Sequence, residues 1–283
     1  MSALISASDL AKALSSDQPP VVLDVRWSLT GPSKADTYAD GHVPGARFVE
    51  LDAALSAPPV GAGPRHPGGR HPLPDPQVFE NAMGTAGVSR TSTVVVYGDP
   101  DGFGPARAWW CLRYFGHEAV RVLDGGYAAW TEAGLPIETG LSDVAPGDFE
   151  ARAGGMAMLD AGEAAKVARA GVLLDARAGE RYRGEVEPID PAGGHIPGAL
   201  NAPTAENLDA AGRFRSVDAL RERFASLGLG GSGPVGVYCG SGVSAAQEVL
   251  ALELAGIHAA LYVGSWSDWV SDPDRPVATG ATP

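Results

Sequence analysis

The chain has 283 residues, of which 45% are hydrophobic, with a net charge of -13 and two cysteines. That length suits two cores of about 140 residues each, and the acidity argues against a nucleic-acid or anionic-membrane surface. Two cysteines cannot build a disulfide framework, so a reducing, cytoplasmic setting is the expectation; no apolar run approaches the ~18 residues of a membrane span, and the N-terminus lacks the basic and apolar regions of a secretory leader.

In chain order, the first half alternates helix and strand. Residues 8–14 read as a short helix capped by Ser8, residues 21–25 as a strand and residues 47–48 as a second short strand. A helix over 75–86, a strand over 94–97, a helix over 106–115, a strand over 120–123 and a helix over 126–133 follow. The strands are short continuous apolar runs, as in a parallel sheet covered on both faces. Residues 57–76 form a Pro/Gly-rich stretch long enough to be a functional loop over a site. Residues 141–155 show no periodic apolar face and read as a linker.

The second half repeats the first. The run Val21 to Arg26, ending Asp-Val-Arg, is answered by Val172 to Arg177, ending Asp-Ala-Arg. The loop Gly41-His42-Val43-Pro44-Gly45 is answered by Gly194-His195-Ile196-Pro197-Gly198. Val94 to Gly98 matches Val235 to Cys239, and Leu123-Asp124-Gly125-Gly126-Tyr127 matches Tyr262-Val263-Gly264-Ser265-Trp266. Matches in one order define a tandem duplication of one α/β domain, with a period too long for a solenoid. The expected division is a first domain over 1–140, a linker over 141–155 and a second domain over 156–283.

Differences between the copies separate scaffold from chemistry. Arg26 and Arg177, like His42 and His195, occur in both halves and read as structural, with the Gly-His loop held against the Asp-x-Arg strand end by hydrogen bonds and an ion pair. Cys239 has no counterpart, because the first half carries Gly98 there, and Arg181 is matched by Thr30. Cys239 closes an apolar strand and opens the Gly-rich turn Gly240-Ser241-Gly242-Val243-Ser244, after which residues 245–254 have helical composition. In a parallel sheet that junction lies where ligands bind, and the turn's N–H groups suit an anion or a thiolate. Cys111, Trp109, Trp110 and Trp130 read as core or interface residues.

These motifs together resemble the rhodanese superfamily, specifically its two-domain sulfurtransferases, over nearly the whole chain. The resemblance implies two rhodanese-like domains, each a mostly parallel sheet with helices on both faces, the first inactive and the second catalytic. It implies that Cys239 attacks the outer sulfur of a small anionic donor, thiosulfate or 3-mercaptopyruvate, and keeps it as a persulfide until cyanide, a thiol or a protein cysteine removes it. Gly240, Gly242, Val243 and Ser244 would bind through the turn, and Arg181 would grip the donor's anionic head. Cys-Gly-Ser-Gly-Val-Ser is close to the mercaptopyruvate pattern, which brings a proton-moving serine, histidine and aspartate that match Ser241, His71 and Asp52, with His66 competing with His71. The second substrate arginine of that group is absent: the corresponding stretch has Ile189, and losing a charged hydrogen bond to a carboxylate costs about 1.5–3 kcal/mol. Arg183 reads equally as a surface residue. A Cys-x5-Arg phosphatase is excluded by Ala245, and a non-catalytic rhodanese-like binding or regulatory protein is the alternative. No metal or nucleotide signature occurs, so the sulfur on Cys239 is the only prosthetic group implied.

Overall fold

In a computed structural model, residues 2–60, 65–231 and 233–283 are described; residues 61–64 of the expected 57–76 loop lie outside them. The chain divides into two compact units. One comprises Met1–Ser56, Pro74–Met156 and Asp209–Phe214, the other Ala57–Leu73, Ala157–Leu208 and Arg215–Pro283. The loop segment Ala57–Leu73 therefore runs with the second unit, although the expected first domain spans it. Hydrogen bonds carry it there: Gly68 N donates to Asp268 Oδ1 at 2.7 Å and Arg70 N to Ser267 Oγ at 3.1 Å.

In the first unit, β1 (Leu4–Ile5), β2 (Val21–Asp24), β3 (Arg47–Phe48), β4 (Val94–Tyr97) and β5 (Val120–Leu123) form a sheet in the order β1-β5-β4-β2-β3. In the second, β6 (Met158–Leu159), β7 (Val172–Asp175), β8 (Leu200–Asn201), β9 (Val235–Tyr238) and β10 (Ala260–Tyr262) repeat it as β6-β10-β9-β7-β8. Every pairing in both sheets is parallel. The central strand β4 is buried at each residue, which is why its sequence shows a continuous apolar run rather than alternation.

The helices of the first unit are α1 (Ala7–Leu14), α2 (Ala35–Asp40), α3 (Leu51–Ala54), α4 (Pro76–Thr85), α5 (Phe103–Tyr114) and α6 (Gly126–Glu132). Those of the second are α7 (Ala161–Ala170), α8 (Gly179–Tyr182), α9 (Val217–Ser226), α10 (Ser244–Ala255) and α11 (Ser265–Trp269). The cap of α1 is Ser6, not Ser8: Ser6 Oγ accepts from Asp9 N at 3.1 Å, because β1 ends at Ile5 and the chain turns directly into the helix. α5 starts three residues earlier than the apolar pattern indicates, at a left-handed Gly102. Residues 141–155 carry no helix or strand but are tied to the first unit, with Gly147 N on Gly84 O, Arg152 N on Phe115 O and Phe149 buried. Trp109, Trp110, Trp130 and Cys111 are core residues, and burial pushes the Cys111 thiol up. Among the described residues, no helix is long and apolar enough to cross a membrane.

The duplicated polar motifs do the same work in each unit. Arg26 Nη2 donates to Asp24 Oδ2 at 2.6 Å and to Gly41 O at 2.9 Å; Arg177 Nη2 donates to Asp175 Oδ2 and to Gly194 O, both at 2.6 Å. His42 stacks on Tyr38 with centroids 4.0 Å apart, and His195 on Tyr182 at 3.8 Å. The ion pair thus pins the Gly-His loop to the strand end.

Candidate active site

β9 delivers Cys239 to the carboxyl edge of the second sheet, and the chain must turn there before α10 begins. The turn is tight. Gly242 has φ +80°, and a Cβ on it would come within 2.3 Å of Val263 O, so this position takes only glycine. The same turn aims Gly242 N at Cys239 Sγ, 3.1 Å away. Val243, the N-cap of α10, has no side-chain acceptor for the helix's first N–H groups, which leaves Ser244 and its neighbours at a positive helix end. The thiol itself is 1% exposed. The buried sulfur thus faces the Gly242 N–H where the turn leads into α10.

Ser265, which sequence reasoning missed, anchors Cys239 from the other side. Cys239 N donates to Ser265 Oγ at 3.1 Å, and Ser265 Oγ donates to Tyr262 O at 2.9 Å and lies 4.0 Å from Sγ. Ser265 has φ +54° and is fully buried. Its counterpart Gly126 adopts φ +59°, so a serine occupies a left-handed position that the first copy gives to glycine. The signal was present in the Gly-Gly and Gly-Ser pair of the repeat.

The backbone frame is otherwise duplicated: Trp266 N donates to Cys239 O at 3.0 Å, and Tyr127 N donates to Gly98 O at 2.9 Å. The first unit thus builds the same junction around a residue with no side chain.

Ser241 and His71 are brought together, with His71 Nδ1 2.8 Å from Ser241 Oγ and both residues buried. His71, not His66, stands at the turn; His66 instead accepts from Gly69 N through its carbonyl at 2.8 Å. Asp52 belongs to the first unit, on α3, where Trp27 Nε1 donates to it at 3.1 Å.

Arg181, on α8, points its guanidinium toward Gly240. It donates through Nη2 to Glu187 Oε1 at 2.7 Å and to Asp190 Oδ2 at 3.3 Å, and through Nε to Glu187 Oε2 at 3.2 Å. Ile189, in the same stretch, offers only its backbone N to Glu187 Oε1. Arg183 pairs with Glu185 at 2.8 Å on the surface and takes no part. Arg70, also missed, pairs with Asp190. Burial pushes the Asp190 carboxyl up, while Arg70 works in the opposite direction.

A fold of two like parallel sheets, with one carrying a cysteine turn, agrees with comparison to known proteins. A family model described as Rhodanese-like domain matches residues 6–133 and 157–272, and the chain belongs to that family. It is 46% identical over 285 residues to the "Probable 3-mercaptopyruvate sulfurtransferase" of Pseudomonas aeruginosa, covering 98% of each chain. It is 44% identical over 282 residues to the "Putative thiosulfate sulfurtransferase SseB" of Mycobacterium tuberculosis, covering 98% of this chain and 97% of that one. A crystal structure of SseA from Escherichia coli, described as a 3-mercaptopyruvate sulfotransferase, superposes with a TM-score of 0.80 at 32% identity, covering 94% of this chain and 99% of that one. The chain is a two-domain sulfurtransferase of the rhodanese family, and its substrates are a sulfur donor and a sulfur acceptor.

Proposed function

We propose that the enzyme carries sulfur on Cys239 as a persulfide, taking it from a small anionic donor and passing it to a thiophile. The observation that supports this most is the 3.1 Å contact from Gly242 N to the buried Cys239 Sγ. The Cys239 thiolate attacks the donor's outer sulfur, the S–S bond forms with the electron pair of the attacking thiolate, and the donor's bond to that sulfur breaks toward the leaving group. The Gly240 to Ser244 turn and the start of α10 hold the negative charge of the persulfide. Arg181 binds the donor's anionic head. The second unit is catalytic, and the first, with Gly98 at the equivalent position, is inactive.

The preferred donor is 3-mercaptopyruvate. Its leaving group is an enolate of pyruvate, which must take up a proton at carbon, and the Ser241–His71 hydrogen bond offers a route for one. The P. aeruginosa relative bears the same name. Thiosulfate is the second reading. It leaves as sulfite without needing a proton, and both the uncharged Ile189 and the name of the M. tuberculosis relative favour it. The acceptor is cyanide, a thiol or a protein cysteine. The two free cysteines suit a reducing cytoplasmic setting, and no cofactor beyond the carried sulfur is required.

Thiocyanate formation with cyanide as acceptor tests the donor assignment. A higher kcat/KM with 3-mercaptopyruvate than with thiosulfate supports the first reading, and the reverse order replaces it with the second. No turnover with either rejects both.

A further inference from the structure

Two guanidinium groups stand over Gly240, the residue that follows Cys239. A Cβ on Gly240 would lie 3.1 Å from Arg70 Nη2, and 3.5 and 3.7 Å from Arg181 Nη1 and Nη2. Both side chains are largely withdrawn from water, 13% and 19% exposed. The fully buried Asp190 carboxylate bridges them, with Oδ1 on Arg70 Nη1 and Oδ2 on Arg181 Nη2. Among the described residues, that carboxylate accounts for the side-chain bonding of Arg70, whose buried Nε has no partner. Arg181 commits Nε and Nη2 to Glu187 and Asp190. Nη2 of Arg70 and Nη1 of Arg181 are thus the guanidinium nitrogens turned to the Cys239 turn with donors to spare.

One carboxylate with an oxygen on each guanidinium is also how an incoming oxyanion would satisfy the pair. We propose that Arg70 is a donor-binding residue, forming with Arg181 a two-guanidinium cradle for the carboxylate or sulfonate-like head of the sulfur donor. The inference rests on the persulfide reading above. Position 189 carries no charge, and the second cation comes instead from the Ala57–Leu73 segment, one residue before His71. A single stretch of chain then delivers both an anion-binding group and a proton-moving group to the cysteine turn. Arg177 is not part of the cradle, because it is spent on Asp175 and Gly194 O.

The competing role for Arg70 is to neutralise Asp190 and nothing more. Full-length Arg70→Met, Arg70→Lys and Arg70→Met/Asp190→Asn are compared with wild type by donor saturation with 3-mercaptopyruvate and thiosulfate, with melting curves as a check on folding. The cradle predicts that Arg70→Met raises donor KM at least about tenfold, the loss of one charged hydrogen bond to an anion, while kcat changes far less. Arg70→Lys keeps the charge but not the fork and falls between. The double variant, in which no carboxylate needs neutralising, keeps the raised KM. An Arg70→Met KM within twofold of wild type, or a double variant restored to the wild-type KM, overturns the cradle. If wild-type Cys239 gains sulfur and either of these results appears, the cradle alone has failed; if wild-type Cys239 gains none, the persulfide reading has failed and takes the cradle with it.

Discussion

Nδ1 of His71 lies 2.8 Å from Oγ of Ser241, a contact between positions 170 residues apart that sets an imidazole on the turn directly after Cys239. Both residues are buried, so a proton passing between them is shielded from bulk water.

Replacing His71 with Ala should therefore separate the two donors. With 3-mercaptopyruvate, whose leaving enolate needs a proton, kcat should fall by roughly 100- to 10,000-fold, the usual scale of general acid–base catalysis. With thiosulfate, whose leaving sulfite needs none, it should change only a few-fold. Equal losses with both donors, measured as thiocyanate release, would assign His71 to holding the turn rather than to moving a proton.

Ser265 combines a left-handed backbone with a hydrogen bond to Cys239 N, and the two effects respond differently to substitution. Ser265→Gly relieves the backbone strain, worth about 1–3 kcal/mol, but removes the oxygen. Ser265→Ala keeps the strain and also leaves the buried Cys239 N–H unpaired, at a cost of about 1–3 kcal/mol. The melting midpoint should thus fall further for Ala than for Gly, while both lower kcat because Cys239 loses its anchor. Midpoints in the opposite order would remove the strain from the account.

The Asp175–Arg177 pair is buried, with side chains 0% and 2% exposed. Burial works against the Arg177 charge, and Asp175 and Glu187 more than offset it, so the guanidinium is held even further up than usual. Asp175→Asn leaves that charge without its main partner and frees the Gly194 to Gly198 loop, and it should cost about 3–5 kcal/mol. Thermal or urea unfolding reads this directly; an unchanged midpoint would contradict the assignment of the pair to scaffolding.

The duplication and the cysteine turn were legible because each depends on local sequence. Strand-end Asp-x-Arg, Gly-His-x-Pro-Gly and the Gly-rich turn all specify their own backbone, and a second copy in the same chain shows which positions changed. The Ser8 cap failed by two residues because β1 is too short to mark a periodic boundary, and Ser6 takes the Asp9 N–H first. Arg70 and Asp190 did not read at all. Their pairing joins positions 120 residues apart, and nothing in a Pro/Gly-rich loop indicates which charged residue will be buried. His71 read only through resemblance, for the same reason. Ser265 could have been found from the repeat alone, since a residue replacing glycine in one copy marks either strain or function.

The central claim is that Cys239 is the sulfur carrier, and intact mass of the protein after incubation with each donor tests it most directly. Wild type should gain the mass of one sulfur atom, and Cys239→Ser should gain none although Cys111 is retained. Subsequent cyanide should remove the added mass and release thiocyanate. A wild-type protein that turns over donor without gaining sulfur, or a Cys239→Ser protein that gains it equally, would contradict the account.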